Sequence, residues 1–184
     1  MQLSNAIKER KSVRKFSSRK PDWRDIIECV EFIRHAPMAG KHFTPRAIIV
    51  DNKEKISKIA DACQEDFVSQ AHYVVVIVSV PLRTVSSYGK RGEAYVKQQA
   101  GAAIQNFLLA VEDKKLATCW IGDFVEDQIK RELKIPATAV VEAVFPIGYE
   151  MGKSAVSRKI DLDNVLYFGT YGNKKMGGSR SMDV

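Results

Sequence analysis

The sequence predicts an α+β fold, in which helices pack on a sheet of about four strands. Residues 73–80 form a continuous run of β-branched and apolar side chains, which is typical of a strand buried on both faces. Residues 93–115 carry apolar side chains at helical spacing over the longest stretch of the chain. The 184 residues, 45% hydrophobic and 28% charged, correspond to one domain of ordinary size.

Two helices and a loop are predicted at the start of the chain. A short segment with apolar periodicity indicates a helix over residues 3–9. Asp22 is the expected N-cap of a second helix. That helix ends before Pro37, because a residue that precedes proline avoids the α region. Residues 36–45 contain two prolines and a glycine, and we expect them to form a loop.

The remaining elements alternate between short apolar runs and helical patterns. Residues 81–92 are polar and contain two glycines, which favours a loop. Asp123 is the expected N-cap of the helix that follows it. The predicted strands cover residues 47–50, 73–80, 118–121 and 140–148, and the predicted helices cover residues 53–67, 93–115 and 125–134.

The chain loses its periodicity beyond Tyr149, where few large apolar side chains occur. A segment of this kind hangs free or lies across another surface. We therefore assign residues 1–168 to one domain and residues 169–184 to a C-terminal tail without a core of its own.

Charge and cysteine content narrow the classes of function. The net charge of +7 suits an anionic partner, but Lys and Arg are dispersed among 22 acids and no nucleic-acid-binding motif occurs. No apolar run reaches the ~20 residues that a membrane span needs. We therefore expect neither a nucleic acid nor a membrane as partner. Cys29, Cys63 and Cys119 lie outside any CxxC pattern, which favours buried, reduced thiols. The N-terminus lacks a secretory pattern, so we expect a cytoplasmic protein.

Several common catalytic patterns are missing from the sequence. The stretch from Gly148 to Ser154 is one residue short of a P-loop, and no helical pattern follows it. No GxGxxG occurs, which argues against a built-in dinucleotide domain. His35, His42 and His72 are not at metal-ligand spacing, so we expect no metal. No pattern indicates a covalent hydrolase.

The basic segment over residues 9–16 is the most informative part of the chain. Arg10, Lys11 and Arg14 flank the hydroxyl of Ser12. Guanidinium groups bind phosphate oxygens through paired, charge-assisted hydrogen bonds, and the serine adds a neutral donor. The segment therefore fits a phosphate monoester. A solvated basic turn is the alternative that these residues alone leave open.

Motifs spread along the chain resemble, in their order and spacing, those of the FMN-dependent nitroreductase family. They are the Arg10–Phe16 element, the Ala36–Ala39 loop, the Gly101–Asn106 helix segment, the Cys119–Gly122 turn, the Ile147–Tyr149 strand end and the Ser157–Lys159 element. The likeness covers residues 3–168. It implies a mostly antiparallel sheet of about four to five strands flanked by helices. It also implies a homodimer, with FMN in clefts at the interface.

The resemblance places the FMN-binding residues one by one. Residues near both ends match positions that hold the phosphate and ribityl chain, whereas two central segments match positions along the flavin ring. The first group contains Arg10, Lys11, Ser12 and Arg14, together with Arg158 or Lys159. The second contains Pro37, Met38 and Ala39, and the turn at Ile121 and Gly122, whose backbone amides approach the ring.

Two positions depart from the family pattern. Lys41 stands where the family has Asn, and Phe43 stands where it has Gln. One interpretation gives Lys41 a role in pairing with the phosphate or with the reduced ring. The other turns Phe43 into the core and Lys41 into solvent.

The resemblance implies an oxidoreductase in which FMN carries the chemistry and no side chain is catalytic. NADH or NADPH would deliver hydride, and a nitroaromatic, quinone or similar electron-poor acceptor would then use the same pocket in a ping-pong mechanism. We expect Arg83, Tyr88, Arg91 and His42 to contact these substrates. A module that binds flavin or another phosphate ligand without redox chemistry is the alternative. Reductive dehalogenation and fragmentation of the flavin ring are enzyme alternatives.

Overall fold

The computed structural model describes residues 1–156 and 159–176. Its centre is one antiparallel sheet with the strand order β1-β2-β4-β3. The strands are β1 (Pro45–Val50), β2 (Tyr73–Ser79), β3 (Ala117–Thr118) and β4 (Val140–Gly148). The predicted α+β class and the antiparallel sheet are confirmed.

Six α-helices and several short 3₁₀ turns surround the sheet in the described residues. The α-helices are α1 (Leu3–Glu9), α2 (Trp23–Glu31), α3 (Lys53–Cys63), α4 (Leu82–Tyr88), α5 (Lys90–Asp113) and α6 (Glu126–Leu133). The 3₁₀ turns are Phe32–His35, Ala39–Lys41, Asp66–Gln70 and Leu162–Asn164. The side chain of Asp22 accepts a hydrogen bond from the amide of Arg24 at 2.9 Å, which confirms the predicted cap of α2.

Strand β2 divides the core into two layers. The side chains of Val74, Val76 and Val78 belong to the layer on the α3 and α6 side. Those of Tyr73, Val75 and Ile77 belong to the layer on the α2 and α5 side. Because alternate residues of a strand point to opposite faces, a strand covered on both sides needs an unbroken apolar run. The predicted double burial of this strand is confirmed.

A β-bulge interrupts the pairing of β2 with β4. Ile77 pairs with Ala143 and Val78 pairs with Val141, so Glu142 is the extra residue. The carboxylate of Glu126, in the first turn of α6, accepts a hydrogen bond from the Val141 amide at 3.0 Å. Helix α6 therefore pins the irregular point of the sheet.

Three predicted boundaries were wrong. Residues 82–88 form helix α4 instead of a loop, and α4 packs closely on Gly92 in the first turn of α5. Helix α3 stops at Cys63 because Gln64 adopts a left-handed conformation. Val125 is the N-cap of α6, without a side-chain hydrogen bond, so Asp123 does not cap it.

The cysteines are free and buried, as predicted. Burial raises the pKa of the Cys29 thiol and of the Cys63 thiol to about 12. Among the described residues, no helix is both long and apolar enough to cross a membrane. The same residues contain no cluster of three His, Cys, Asp or Glu side chains suited to a metal ion.

Candidate functional site

The basic segment after α1 is tied to the edge of the sheet. The amide of Val13 donates to the carbonyl of Thr118 at 2.9 Å, and the amide of Ser17 donates to the carbonyl of Tyr149 at 2.8 Å. The side chains of Val13 and Phe16 are buried, with exposures of 2% and 6%. Since these apolar groups face inward, the polar groups between them face outward in a fixed order. The segment is therefore an ordered part of the sheet edge, unlike a solvated turn.

Two guanidinium groups of this segment are available to an anion. Arg10 is half-buried at a cavity of about 300 Å³ that Thr118 and Leu108 also line. Arg14 is exposed, and its guanidinium carbon lies 6.0 Å from the centre of the Phe67 ring. Neither arginine forms an ion pair with an acid in the described part of the chain. Two uncompensated cations beside an exposed Ser12 hydroxyl suit a phosphate group.

Lys11 has a different environment from the two arginines. Its ammonium group pairs with the carboxylate of Glu150 at 2.8 Å and donates to the carbonyl of Ser154 at 3.3 Å. Burial alone would raise the pKa of Glu150, but hydrogen bonds from Lys11 and Ser154 hold that pKa below its ordinary value. Lys11 thus fastens the chain that follows β4 to the basic segment.

Ser12 and Arg14 also lie close to Cys119. Burial raises the pKa of the Cys119 thiol, while the charge of Arg14 and a hydrogen bond from Ser12 act in the opposite direction. The structure therefore brings the basic segment to the turn that follows β3, although more than 100 residues separate them in the sequence.

The turn at Ile121 and Gly122 offers one free amide. The amide of Ile121 donates to the carbonyl of Val144 at 3.0 Å, and the amide of Val144 donates back at the same distance. The Ile121 amide is therefore already hydrogen-bonded within the sheet and is not available to a ligand. The Gly122 amide is exposed and has no hydrogen-bond partner among residues 1–156 and 159–176. Of the two predicted amide donors, only that of Gly122 is left for a ligand.

The loop over residues 37–44 has an unusual backbone. Gly40 and Lys41 have φ values of 57° and 62°, both in the left-handed region. Lys41 is exposed, Ala39 is half-buried, and Met38 has an exposure of 44%. Phe43 is half-buried against the core layer that contains α5. The second interpretation of the two departures therefore describes these side chains, with Phe43 on the core and Lys41 in solvent.

Helix α4 lies against this loop. A side chain at Gly40 would place its Cβ 2.7 Å from the hydroxyl of Tyr88, so the glycine permits that contact. His42 Nε2 and Ser87 Oγ lie 3.4 Å apart. The ring centres of Tyr88 and Tyr95 are 5.3 Å apart in an edge-to-face arrangement. Two of the predicted substrate residues, His42 and Tyr88, therefore meet at the junction of the loop and α4.

The structure shows no hydrogen bond or ion pair between the other predicted site residues and those described above, in the part of the chain that it describes. Arg83 and Arg91 are exposed on α4 and at the start of α5. Lys159 is exposed beyond β4, and Arg158 lies outside the described residues. No contact joins Lys159 to the arginines of the basic segment in the part of the chain that the structure describes.

Sequence reasoning missed Gln99, whose side chain joins both ends of the loop. Its carbonyl oxygen accepts from the Thr44 amide at 2.8 Å and from the Thr44 hydroxyl at 2.7 Å. Its amide nitrogen donates to the carbonyl of Pro37 at 3.1 Å. A polar residue in the apolar phase of α5, between Val96 and Ala103, was the signal that could have revealed it.

Comparison with known proteins identifies the family. The sequence profile of the nitroreductase family matches residues 7–71 and 63–149. A Methanothermobacter thermautotrophicus protein, provisionally named NADH dehydrogenase/NAD(P)H nitroreductase, is 28% identical over 169 residues, which cover 90% of this chain and 86% of that protein. An iodotyrosine deiodinase of Thermotoga neapolitana is 21% identical over 174 residues, which cover 80% of this chain and 88% of the enzyme.

Solved structures have the same fold. A nitroreductase family protein from Clostridium novyi NT has 27% identity and a TM-score of 0.76, with coverage of 94% of this chain and 96% of that protein. An FMN-dependent nitroreductase from Clostridium difficile R20291 has 22% identity and a TM-score of 0.77, with coverage of 91% and 99%. The sequence profile, the relatives and the shared fold agree: this chain belongs to the nitroreductase family.

Proposed function

We propose that this oxidoreductase binds FMN and passes hydride from NADH or NADPH to a small electron-poor acceptor, such as a nitroaromatic or a quinone. The arrangement of Arg10, Ser12 and Arg14 carries the proposal. The two arginines have no acidic partner among the described residues, and Ser12 adds a hydroxyl. All three lie on a segment that backbone hydrogen bonds fasten to the sheet. The names of two neighbours of the same fold include FMN, and one of these is the NADPH:FMN oxidoreductase of Vibrio harveyi, solved with NAD⁺.

The residues present fit FMN at both of its ends. The guanidinium groups of Arg10 and Arg14 and the hydroxyl of Ser12 match the charge and the acceptors of a phosphate monoester. The free amide of Gly122 matches a ring that carries hydrogen-bond acceptors. The family resemblance also assigns Arg158 or Lys159 to the phosphate. Lys11 serves here by holding the chain around Glu150, since its ammonium group is already paired.

Bound FMN supplies the hydride chemistry. The side chains of the protein bind and orient the cofactor and exclude water from it. The amide of Gly122 is a fixed dipole that stabilises negative charge as it develops on a neighbouring ligand. Pro37, Met38 and Ala39 would contact the bound cofactor, and the exposed Lys41 would be available to it from the solvent side. Tyr88 and His42, at the junction of the loop and α4, would contact the substrates, and Arg83 and Arg91 would attract the phosphates of NADH or NADPH. Donor and acceptor use this pocket in turn, which gives ping-pong kinetics.

The proposal extends to the assembly and its location. Apolar side chains at the surface of α1 and its neighbours, Leu3, Ile7 and Phe32, have exposures of 66%, 49% and 51%. These values support a homodimer. The buried free thiols support a reducing compartment such as the cytoplasm. Residues 1–168 form the FMN-binding domain, and residues 169–184 form the tail.

The decisive experiment is titration of the purified protein with FMN, followed by NADH and NADPH oxidation with quinone, nitroaromatic and iodoaromatic acceptors. The Arg14→Gln variant is expected to weaken FMN binding about 10- to 100-fold, because hydrogen bonds to charged groups contribute about 1.5–3 kcal/mol. Arg131→Gln, which removes the same charge from the exposed face of α6, is expected to bind FMN normally.

The alternative functions give different results in this experiment. Tight FMN binding without oxidation of NADH or NADPH would indicate a module that stores or senses flavin. A wild-type chain that takes up no FMN would refute the flavoenzyme. Turnover that is confined to the iodoaromatic acceptor would assign the chain to reductive dehalogenation.

A further inference from the structure

The side chain of Gln99 is a buried polar group on the inner face of α5. Its exposure is 5%, and its neighbours in the same helical phase are apolar. Burial of an amide is unfavourable unless its donors and acceptors are satisfied. Here the carbonyl oxygen accepts both hydrogen bonds from Thr44, and the nitrogen donates to the carbonyl of Pro37. A single side chain thus holds two points of the backbone that lie seven residues apart.

The loop between these two points has little internal support. Within it, the amide of His42 donates to the carbonyl of Ala39 at 3.0 Å. Lys41 has a φ of 62°, which is costly for a residue with a Cβ and persists only where the surroundings enforce it. Tyr88 contacts the loop from outside at Gly40. The Thr44 end is also held by the sheet, because the Thr44 carbonyl accepts from the Val80 amide at 3.0 Å. The hydrogen bonds of Gln99 are the side-chain contact that joins this end of the loop to Pro37.

We propose that Gln99 is a positioning residue, which fixes the loop over residues 37–44 beside the ligand pocket. An apolar side chain at this position would fit the core but would leave the amide and hydroxyl of Thr44 and the carbonyl of Pro37 without partners. This inference rests on the proposed function, because the pocket it shapes is that of FMN and its substrates.

The test compares Gln99→Met with Gln98→Met. Gln98 is the preceding residue of α5 and is exposed, so its variant controls for the substitution itself. Amide hydrogen exchange of the apo protein is measured first. In Gln99→Met, the Thr44 amide and its neighbours in the loop are expected to exchange about tenfold faster. The Thr44 amide loses its acceptor, and the loop loses the side chain that restrains its ends. The β2 amides are expected to keep their protection in both variants.

FMN binding provides the second measurement. Gln99→Met is expected to raise the Kd for FMN about tenfold. The midpoint potential of the bound flavin is expected to shift, because the loop over residues 37–44 is no longer held in one position. A loss of global stability alone would not move that potential. Gln98→Met is expected to change neither quantity.

Thr44→Val tests the same contact from its other side, because it removes the hydroxyl that donates to Gln99. Thr44 is buried, with an exposure of 2%. The double variant with Gln99→Met is expected to lose little more FMN affinity than Gln99→Met alone, because the hydroxyl bond that Thr44→Val removes is already lost in Gln99→Met. If Gln99→Met does not fold, faster loop exchange in Thr44→Val carries the test. Unchanged loop exchange in the folded variants would overturn the inference. A wild-type chain without affinity for FMN would refute the proposed function, while exchange in the apo protein would still decide the role of Gln99.

Discussion

Glu112 shows how the cavity beside the basic segment affects a single side chain. It lies on α5 at the same cavity as Arg10. Burial raises its pKa, and the charges of Glu9 and Glu150 act in the same direction. Lys115 and Lys11 oppose this shift without cancelling it. The native protein therefore holds a proton on Glu112 more tightly than the unfolded chain does, and ionisation of this carboxyl disfavours folding.

The Glu112→Gln variant is expected to be more stable than the wild type at neutral pH. The protonated carboxyl is compatible with folding at low pH, and its contribution is lost as pH rises through its raised pKa. The neutral amide avoids that loss, so the two proteins should have similar midpoints of thermal unfolding in acid and diverge as pH rises. Asp61→Asn, on the exposed surface of α3, is the control. A Glu112→Gln protein that is less stable at every pH would contradict this account.

The junction of β4 and α6 shows how one element holds another in an irregular shape. The bulge at Glu142 lies beside Val141, whose amide bonds to a side chain of α6. Val141 is buried, with an exposure of 5%, so its amide needs a partner inside the protein. The Glu126 carboxylate supplies that partner and also pairs with Lys130 at 2.8 Å.

Substitution of Glu126 by Ala is expected to destabilise the fold by about 1–3 kcal/mol, because a buried amide is left unpaired. Burial alone would raise the pKa of Glu126, but Lys130 and the Val141 amide hold that pKa below its ordinary value. The stabilisation is therefore present at neutral pH and lost as pH falls through the lowered pKa. Urea unfolding at several pH values measures both effects. Asp127→Ala, in the same exposed turn, should cost much less, and equal costs would argue against the bulge as the cause.

The molecule as a whole leaves apolar surface uncovered on the side of α1. A groove of about 320 Å³, lined by Leu3, Phe32 and Leu109 among others, lies between α1, α5 and the end of α2. Gly101, on α5, has open space around it, and none of the described residues approaches the position of an added Cβ. In the segment that follows β4, Ile160 and Leu162 have exposures of 75% and 64%. Apolar surface of this extent is typical of a protein interface.

We expect the purified protein to be a dimer of the 20.6 kDa chain in size-exclusion chromatography with light scattering. Leu3→Glu is expected to raise the monomer fraction, because it places a charge on the apolar surface that a partner would cover. Lys55→Glu, on the exposed face of α3, should leave the dimer intact. A monomer at micromolar concentration in the wild type would exclude the proposed assembly.

Local patterns determined most of the fold of this protein. The β-branched run of β2, the Asp22 cap of α2 and the period of α5 involve neighbours in the chain, so short-range rules were sufficient. The order of motifs likewise indicated the nitroreductase family, which the comparisons confirm. The FMN-binding roles of Arg10, Ser12 and Arg14 stay predictions that the proposed titration tests.

Only the tertiary structure decided how these pieces combine. Residues 82–88 became helical through close packing on α5, which their own sequence does not encode. The amide of Ile121 donates to the carbonyl of Val144, and the ammonium group of Lys11 pairs with Glu150. Gln99 found its partners more than 50 residues away. Each of these outcomes depends on groups that are distant in the sequence and meet only after the sheet has formed, so periodicity and spacing do not identify the partners.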